Sequence, residues 1–422
     1  MGSYATFKIK DYELFWMKSY VDPSIMSLFT ENDRKESIEH YEDDPENEYK
    51  KIIYVSNTET IKTRLNIMGF NLTTLEHHFS ISKKYKLDNL DEDSDKISRI
   101  SLSKFLDDFT FEKYLKTLKK IYDKKIDFFG NGNSLNYEEL EKIKNENQYI
   151  KYILEEVEYP DHRVDIDYRF YLRGFLEELD NNTNISVDVS EIIGGGYYNE
   201  ADKIAEQSLT KSDKVIIFTE GKYDTDIIKQ SMELLYPQYS TYFSFLDIEL
   251  SNLELGANRV ITYLKSFISA GIINKVVVLF DNDAEGIFCK KELLKLKDIP
   301  NNFCIKTYPD INIAKNYPTI CPTGIEKLDI NGSACSIELY LCTNVLKEGK
   351  YYTPVEWHSF NEKIKKYQGS FSNKYKGDIQ NKYDKILKEC KENREKISNY
   401  NFDNMKILLK DIISSFDDKI LF

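Results

Sequence analysis

Hydrophobic and polar positions divide this chain into two regimes. Through roughly the first 180 residues, apolar side chains recur mostly at intervals of three and four, the helical period. Residues 60–79 carry this spacing, with a break expected at Gly69. Residues 102–126 predict a long amphipathic helix or helix pair built on Leu106, Phe109, Phe111, Leu115 and Leu118. Further helices are expected over 138–156, 168–179 and 199–210, strands only near 5–15 and 184–188, and a turn over 130–136. Beyond residue 213 the period changes. Short apolar runs at 214–218, 242–248, 275–280 and 303–308 alternate with helical stretches at 223–236, 257–270 and 284–297. That alternation predicts βαβ units around a parallel sheet. The run Gly194-Gly195-Gly196 suits neither helix nor strand and reads as a hinge. The expected architecture is a mainly helical α+β domain over 1–195, an α/β domain with a Rossmann-like parallel sheet over 212–345, and a helical extension over 346–422.

Charge refines this picture. The chain has 422 residues, 41% of them hydrophobic, and a formal net charge of −13. Such a balance argues against coating nucleic acid by bulk attraction, but not against local phosphate contacts. Residues 31–50 hold 9 acids against 3 bases and read as a solvated loop or helix face. Residues 347–396 hold 13 Lys and Arg against 8 Asp and Glu, interleaved with Tyr351, Tyr352, Trp357, Phe360, Tyr367, Phe371, Tyr375 and Tyr383. This pattern suits a nucleic-acid groove, or equally an amphipathic helix packed on its aromatic face. The six cysteines form no CxxC pair and read as reduced, packed thiols. No apolar run approaches the ~18 residues of a membrane span, and the N-terminus lacks a signal-peptide pattern. Met1–Thr6 fits only the loose myristoylation pattern. A cytoplasmic location without a membrane partner is expected.

The chemistry concentrates at two strand ends. Run 214–218 leads into Thr219-Glu220-Gly221, and run 275–280 into Asp281-Asn282-Asp283, each with a helix directly behind. In a parallel sheet both turns lie at the carboxyl edge, where open α/β sheets place ligands. Glu220 and Asp281 are about 60 residues apart in sequence, yet the fold brings them together. Gly221 is expected to permit the tight turn that aims Glu220 over the edge. Three carboxylates at one edge repel one another unless a cation neutralises them, and hard oxygen ligands favour Mg2+ or Mn2+. Taken singly, each turn could be no more than a capped strand end.

"TEGKYD" (219–224) and "DNDAEG" (281–286) together resemble the two signatures of the Toprim superfamily, over about residues 212–345. The resemblance implies a metal-dependent endonuclease that hydrolyses phosphodiester bonds of DNA or RNA. It implies Glu220 as general acid or base, and Asp281 and Asp283 as the metal-holding pair. Asp224 matches the last position of the first signature, and Glu338 is the first choice for a further metal-ligating acid. For Asp224 the competing reading is a helix cap or brace, and for Glu338 an acid on a helix face. Gly256-Ala257-Asn258, before a helix, could bring backbone amides to a phosphate with Arg259 assisting, or read as a plain helix N-terminus. A rival reading is a non-catalytic module that holds nucleic acid or a partner protein.

The first 34 residues resemble the N-terminal domain found on proteins with HEPN or Toprim effector regions in bacterial defence loci. Gly2, Tyr4, Ser19, Tyr20, Val21, Asp22, Pro23, Phe29 and Asp33 carry this likeness. It implies a sensing, regulatory or assembly module, an antiviral role, and a possible partner protein from the same locus or a homo-oligomer. Arg34 and His40 fit the loose spacing of HEPN ribonucleases, but in an acidic stretch. His77, His78, His162 and His358 carry no partner pattern.

Overall fold

The structure is a computed structural model that describes residues 2–41, 44–88, 96–126, 137–158, 167–245 and 257–421. The expected turn at 130–136 and His162 lie outside these residues. The chain divides into two compact units, Met1–Lys211 with the closing residues from Asp417 on, and Ser212–Phe416.

The first unit is built on a five-stranded antiparallel sheet. Its strands are β1 (Tyr4–Ile9), β2 (Tyr12–Lys18), β3 (Arg34–Tyr41), β4 (Asp44–Asn57) and β5 (Asn184–Asp188), in the order β2-β1-β5-β4-β3. Alternation drives β1: Ala5, Phe7 and Ile9 are fully buried while Tyr4, Thr6 and Lys8 are partly open. The helices fall largely where the spacing places them. Thr58–Met68 is capped by Asn57, whose side chain accepts from the Thr60 amide, and ends at Gly69, whose φ of 105° favours glycine. Residues 102–126 form a helix pair, Lys96–Asp108 and Phe111–Asp123, with Thr110 capping the second.

Three expectations fail in this unit. The acidic stretch 31–48 is neither loop nor helix face but largely the β3–β4 hairpin. Its acids are partnered across the strands, Glu39 by Lys51 at 2.8 Å and Glu36 by Lys50 at 2.9 Å. Cross-strand pairs of opposite charge link the polar outer part of the hairpin, while Ile52 and Tyr54 at the base of β4 are buried. The glycine run is not the unit boundary, which falls at Lys211/Ser212. Gly194 ends the helix Ser190–Gly194, and a Cβ on Gly195 would lie 2.4 Å from Ser3 Oγ. The run is exposed, and of its three glycines Gly195 is the one held close to another residue. The helix expected over 199–210 shrinks to Ile204–Ser208.

The second unit has the βαβ alternation its sequence predicts. Strands β6 (Val215–Phe218), β7 (Phe243–Phe245), β8 (Val276–Phe280) and β10 (Phe303–Thr307) form a wholly parallel sheet in the order β10-β8-β6-β7. The two-residue strand β9 (Asn282–Asp283) follows β8. Every side chain of β8 is completely buried, as expected of a central strand covered on both faces. Leu264, Cys289 and Leu293, from the helices Ala257–Ser269 and Ala284–Leu293, pack against it.

The stretch from 346 on is not a helical extension. Val355–Asn361 and Lys366–Ser370 form an antiparallel hairpin that joins Tyr317–Cys321 and Gly324–Leu328 in a second sheet. Helices Asn373–Glu392 and Asp403–Ile413 follow within the same unit. Neither sequence reading of the aromatics holds throughout. Phe371 and Tyr383 are buried, whereas Tyr351, Phe360 and Tyr367 are exposed. Among the described residues no helix is long and apolar enough to cross a membrane.

Candidate functional site

Strands β6 and β8 are neighbours in register, Phe218 beside Val278. The residues just beyond their carboxyl ends therefore meet. The Asp281 backbone amide donates to Glu220 Oε1 at 2.9 Å. The two signature turns are thus joined by a direct hydrogen bond. Gly221 has φ −135°, an extended conformation any residue adopts, so its freedom is not what aims Glu220. The glycine that matters is Gly286. A Cβ there would lie 2.1 Å from the Asp281 carbonyl oxygen, because the helix Ala284–Leu293 starts hard against the Asp281 backbone.

Electrostatics mark this edge as unusual. Burial, with the charges of Asp283, Asp224 and Glu285, pushes Glu220 up to about 8 despite its bond from the Asp281 amide. Burial and the charge of Glu338 push Asp224 up to about 7, although Lys376 and the Tyr308 hydroxyl oppose the rise. Asp281 is held well above the usual carboxylate range by burial and then by Asp224, Glu220, Asp283 and Glu338. Its Oδ1 is buried without a hydrogen-bond partner. An orphaned carboxylate oxygen among other carboxylates is an arrangement that a cation would relieve.

The remaining acids are held by protein groups. Asp283 caps the helix Ala284–Leu293, with Oδ1 accepting from the Gly286 amide at 2.8 Å and Oδ2 from Gln368 Nε2 at 2.6 Å. Gln368 Oε1 in turn accepts from the Glu285 amide at 2.9 Å. Asp224 Oδ2 accepts from Tyr308 at 3.4 Å. Glu338 is fully buried and accepts from Ser336 Oγ at 2.5 Å and Gln380 Nε2 at 2.7 Å, with Lys376 Nζ at 3.4 Å. Among the described residues, no three His, Cys, Asp or Glu side chains form a group able to hold a metal ion. The donors that fit a cation are Asp281 Oδ1 and the neighbouring Glu220. That is compatible with Mg2+, which is usually held by one or two carboxylates and keeps several waters.

Sequence reasoning missed Gln368, Gln380, Lys376 and Tyr308. Lys376 is one lysine in a lysine-rich stretch, and no local signal separates it from its neighbours. Gln368→Ala strands both Asp283 Oδ2 and the Glu285 amide at the start of the helix Ala284–Leu293. Leaving a buried polar group without its partner costs about 1–3 kcal/mol, so a lower melting temperature is the expected outcome.

Other sequence candidates do not assemble. Arg34 and His40 stand at opposite ends of the eight-residue strand β3, roughly 20 Å apart at ~3.3 Å per residue. Arg34 instead donates to the Asp202 and Glu200 carbonyls and pairs with Glu36. His358 Nε2 bonds Ser370 Oγ at 2.7 Å, and His78 packs on Phe170. The Arg259 side chain lies outside what the structure describes. All six cysteines are free thiols.

A family model described as HEPN/Toprim N-terminal domain 1 matches residues 1–212, just over half of the chain. The chain belongs to this family. No curated protein and no solved structure matches it. The resemblance read from Gly2 to Asp33 is thereby borne out. The match corresponds closely to the first compact unit and ends where the second begins. Membership in this HEPN/Toprim-associated family suggests a nuclease-associated role. The carboxylate edge lies wholly within the second unit, beyond the matched residues.

Proposed function

We propose that the second unit is a Toprim-type nuclease domain that hydrolyses phosphodiester bonds of DNA or RNA with Mg2+ or Mn2+, as an effector in antiviral defence. One observation carries the reading: the Asp281 amide bonded to Glu220, beside an orphaned Asp281 oxygen, at the carboxyl edge of a parallel sheet. Both acids have a job there. Asp281 would hold the cation, with Glu220 beside it as the general acid or base. Asp283 fixes the start of the following helix and could join Asp281 only by exchanging its bond from Gln368. A bound divalent cation would neutralise the scissile phosphate and lower the pKa of water. Glu220, which burial keeps from ionising easily, is suited to carry a proton to or from the reacting oxygens. Asp224 and Glu338 brace the site from behind and are not ligands in this reading.

The first unit would sense a trigger or a partner protein, in agreement with its family. A second reading, a module that binds nucleic acid or a partner without cutting, is favoured by the engagement of both Asp283 oxygens by protein donors. Incubation with plasmid, single-stranded DNA and tRNA in Mg2+ or Mn2+ separates the two. Cleavage is expected. Retention of a substrate in a gel shift without any cleavage supports the binding module instead.

A further inference from the structure

The hairpin of Val355–Asn361 and Lys366–Ser370 carries three aromatic rings that the carboxylate chemistry leaves unused. Phe360 and Tyr367 stand opposite each other across its strands with ring centroids 5.0 Å apart, and Trp357 meets Tyr367 edge-on at 6.0 Å. Trp357 itself stands opposite Gly369, where a Cβ would lie 2.9 Å from the indole, so the bare glycine makes room for that ring. The cluster is not folded away: Tyr367 is 60% exposed and Phe360 48%. Adjoining exposed rings, unlike a single exposed residue, mark a surface that binds something. Two features say what. The turn between the strands carries Lys363 and Lys365, and Lys366 opens the second strand, with Glu362 the one acid among them. Among the described residues none of these three lysines is in an ion pair, so their charge is free for an anionic partner. Gln368, the residue after Tyr367, bonds Asp283 Oδ2 at 2.6 Å and the Glu285 amide at 2.9 Å. The ring surface is therefore continuous with the carboxyl edge through a single residue.

We propose that these rings form a stacking platform for unpaired bases, and that the nucleic acid offered to the carboxyl edge is single-stranded. The second half of this inference rests on the nuclease reading proposed above. Rings that stack on bases, beside cations that hold phosphates, are the two parts of a single-strand binding surface. A duplex stacks its bases on one another and leaves no base face for Tyr367 or Phe360. Every base has such a face once unpaired, so the platform takes DNA or RNA with little regard to sequence. Tyr367 and Phe360 are then positioning residues: they hold the strand beside the edge, while Lys363 and Lys365 attract its phosphates.

The test is the fluorescence anisotropy of a short end-labelled oligo(dT), titrated with the full chain in chelator so that binding is read without cleavage. An oligo(U) arm separates RNA from DNA, and a blunt duplex arm tests the need for unpaired bases. At least one single strand is expected to bind roughly tenfold or more tightly than the duplex. Tyr367→Ala and Phe360→Ala should each weaken that binding roughly tenfold, the loss of one stacked base, and Tyr367→Trp should preserve it. Single strands held no better than duplex, or held equally by the alanine variants, would overturn the inference and leave the nuclease reading standing. So would a wild type that self-associates through this face, with Tyr367→Ala monomeric and its oligonucleotide binding unchanged. Strand binding that behaves as expected, in a protein that cleaves nothing in Mn2+, would sink the nuclease reading and leave the platform. If the alanine variants do not fold, the wild-type comparison of single strand with duplex decides.

Discussion

Asp281→Asn should abolish cleavage while raising the melting temperature of the chelator-treated protein. The substitution keeps the volume and the backbone amide that donates to Glu220. It removes a negative charge that burial and four neighbouring acids already hold at a disadvantage. Relief of that repulsion is a stabilisation on the order of 1 kcal/mol, which for a unit of this size means roughly 2–4 °C. Activity should fall by at least ~100-fold, because the orphaned oxygen that would face the cation becomes an amide. Glu220→Gln is expected to follow the same pattern. Thermal unfolding in chelator and a cleavage time course, on the same preparations, check both halves. A large loss of stability would mean that these acids hold the fold together and are not poised for a cation.

Gly286→Ala should damage the site from the backbone. The added methyl would meet the Asp281 carbonyl at 2.1 Å, and backbone cannot yield as a flexible side chain can. Overpacking of this kind costs about 1–3 kcal/mol. Because the clash falls on Asp281, the turn must shift, and cleavage should drop even in molecules that remain folded. Gly221→Ala is the matched control. Its φ is ordinary and its Cβ would stand 3.6 Å from Asp224, so a small effect is expected. Urea unfolding midpoints for the two variants rank them. Equal midpoints would contradict the close approach at Gly286.

The parallel sheet was legible because its strands are buried on both faces and declare themselves as unbroken apolar runs; Val276–Phe280 is the clearest case. The pairing of Glu220 with Asp281 followed from strand ends and sheet topology alone. The β3–β4 hairpin was not legible, since its outer part is polar and carries charge pairs such as Glu39 with Lys51, while its buried residues, Ile52 and Tyr54, are confined to the base of β4. Nor was the second sheet, whose hairpin hides in a lysine and tyrosine composition that also suits a helix. The partners of Asp283 and Glu338 come from that region, at Gln368, Lys376 and Gln380. They are brought in across 38 to 85 positions of sequence, and no local pattern records such a return. The glycine the site requires is Gly286 and not Gly221, for a related reason. Which glycine is indispensable depends on what its missing side chain would strike.

The proposed cutting of nucleic acid by the carboxyl edge of the second unit requires a divalent cation. It is tested most directly by single-turnover cleavage of one end-labelled nucleic acid, with wild type and Asp281→Asn purified in parallel. Each would be assayed in Mn2+ and in chelator. Cleavage by the wild type in Mn2+ alone, with none by the variant and none in chelator, is the result expected. Equal cleavage by both proteins, or wild-type cleavage that survives the chelator, would contradict it.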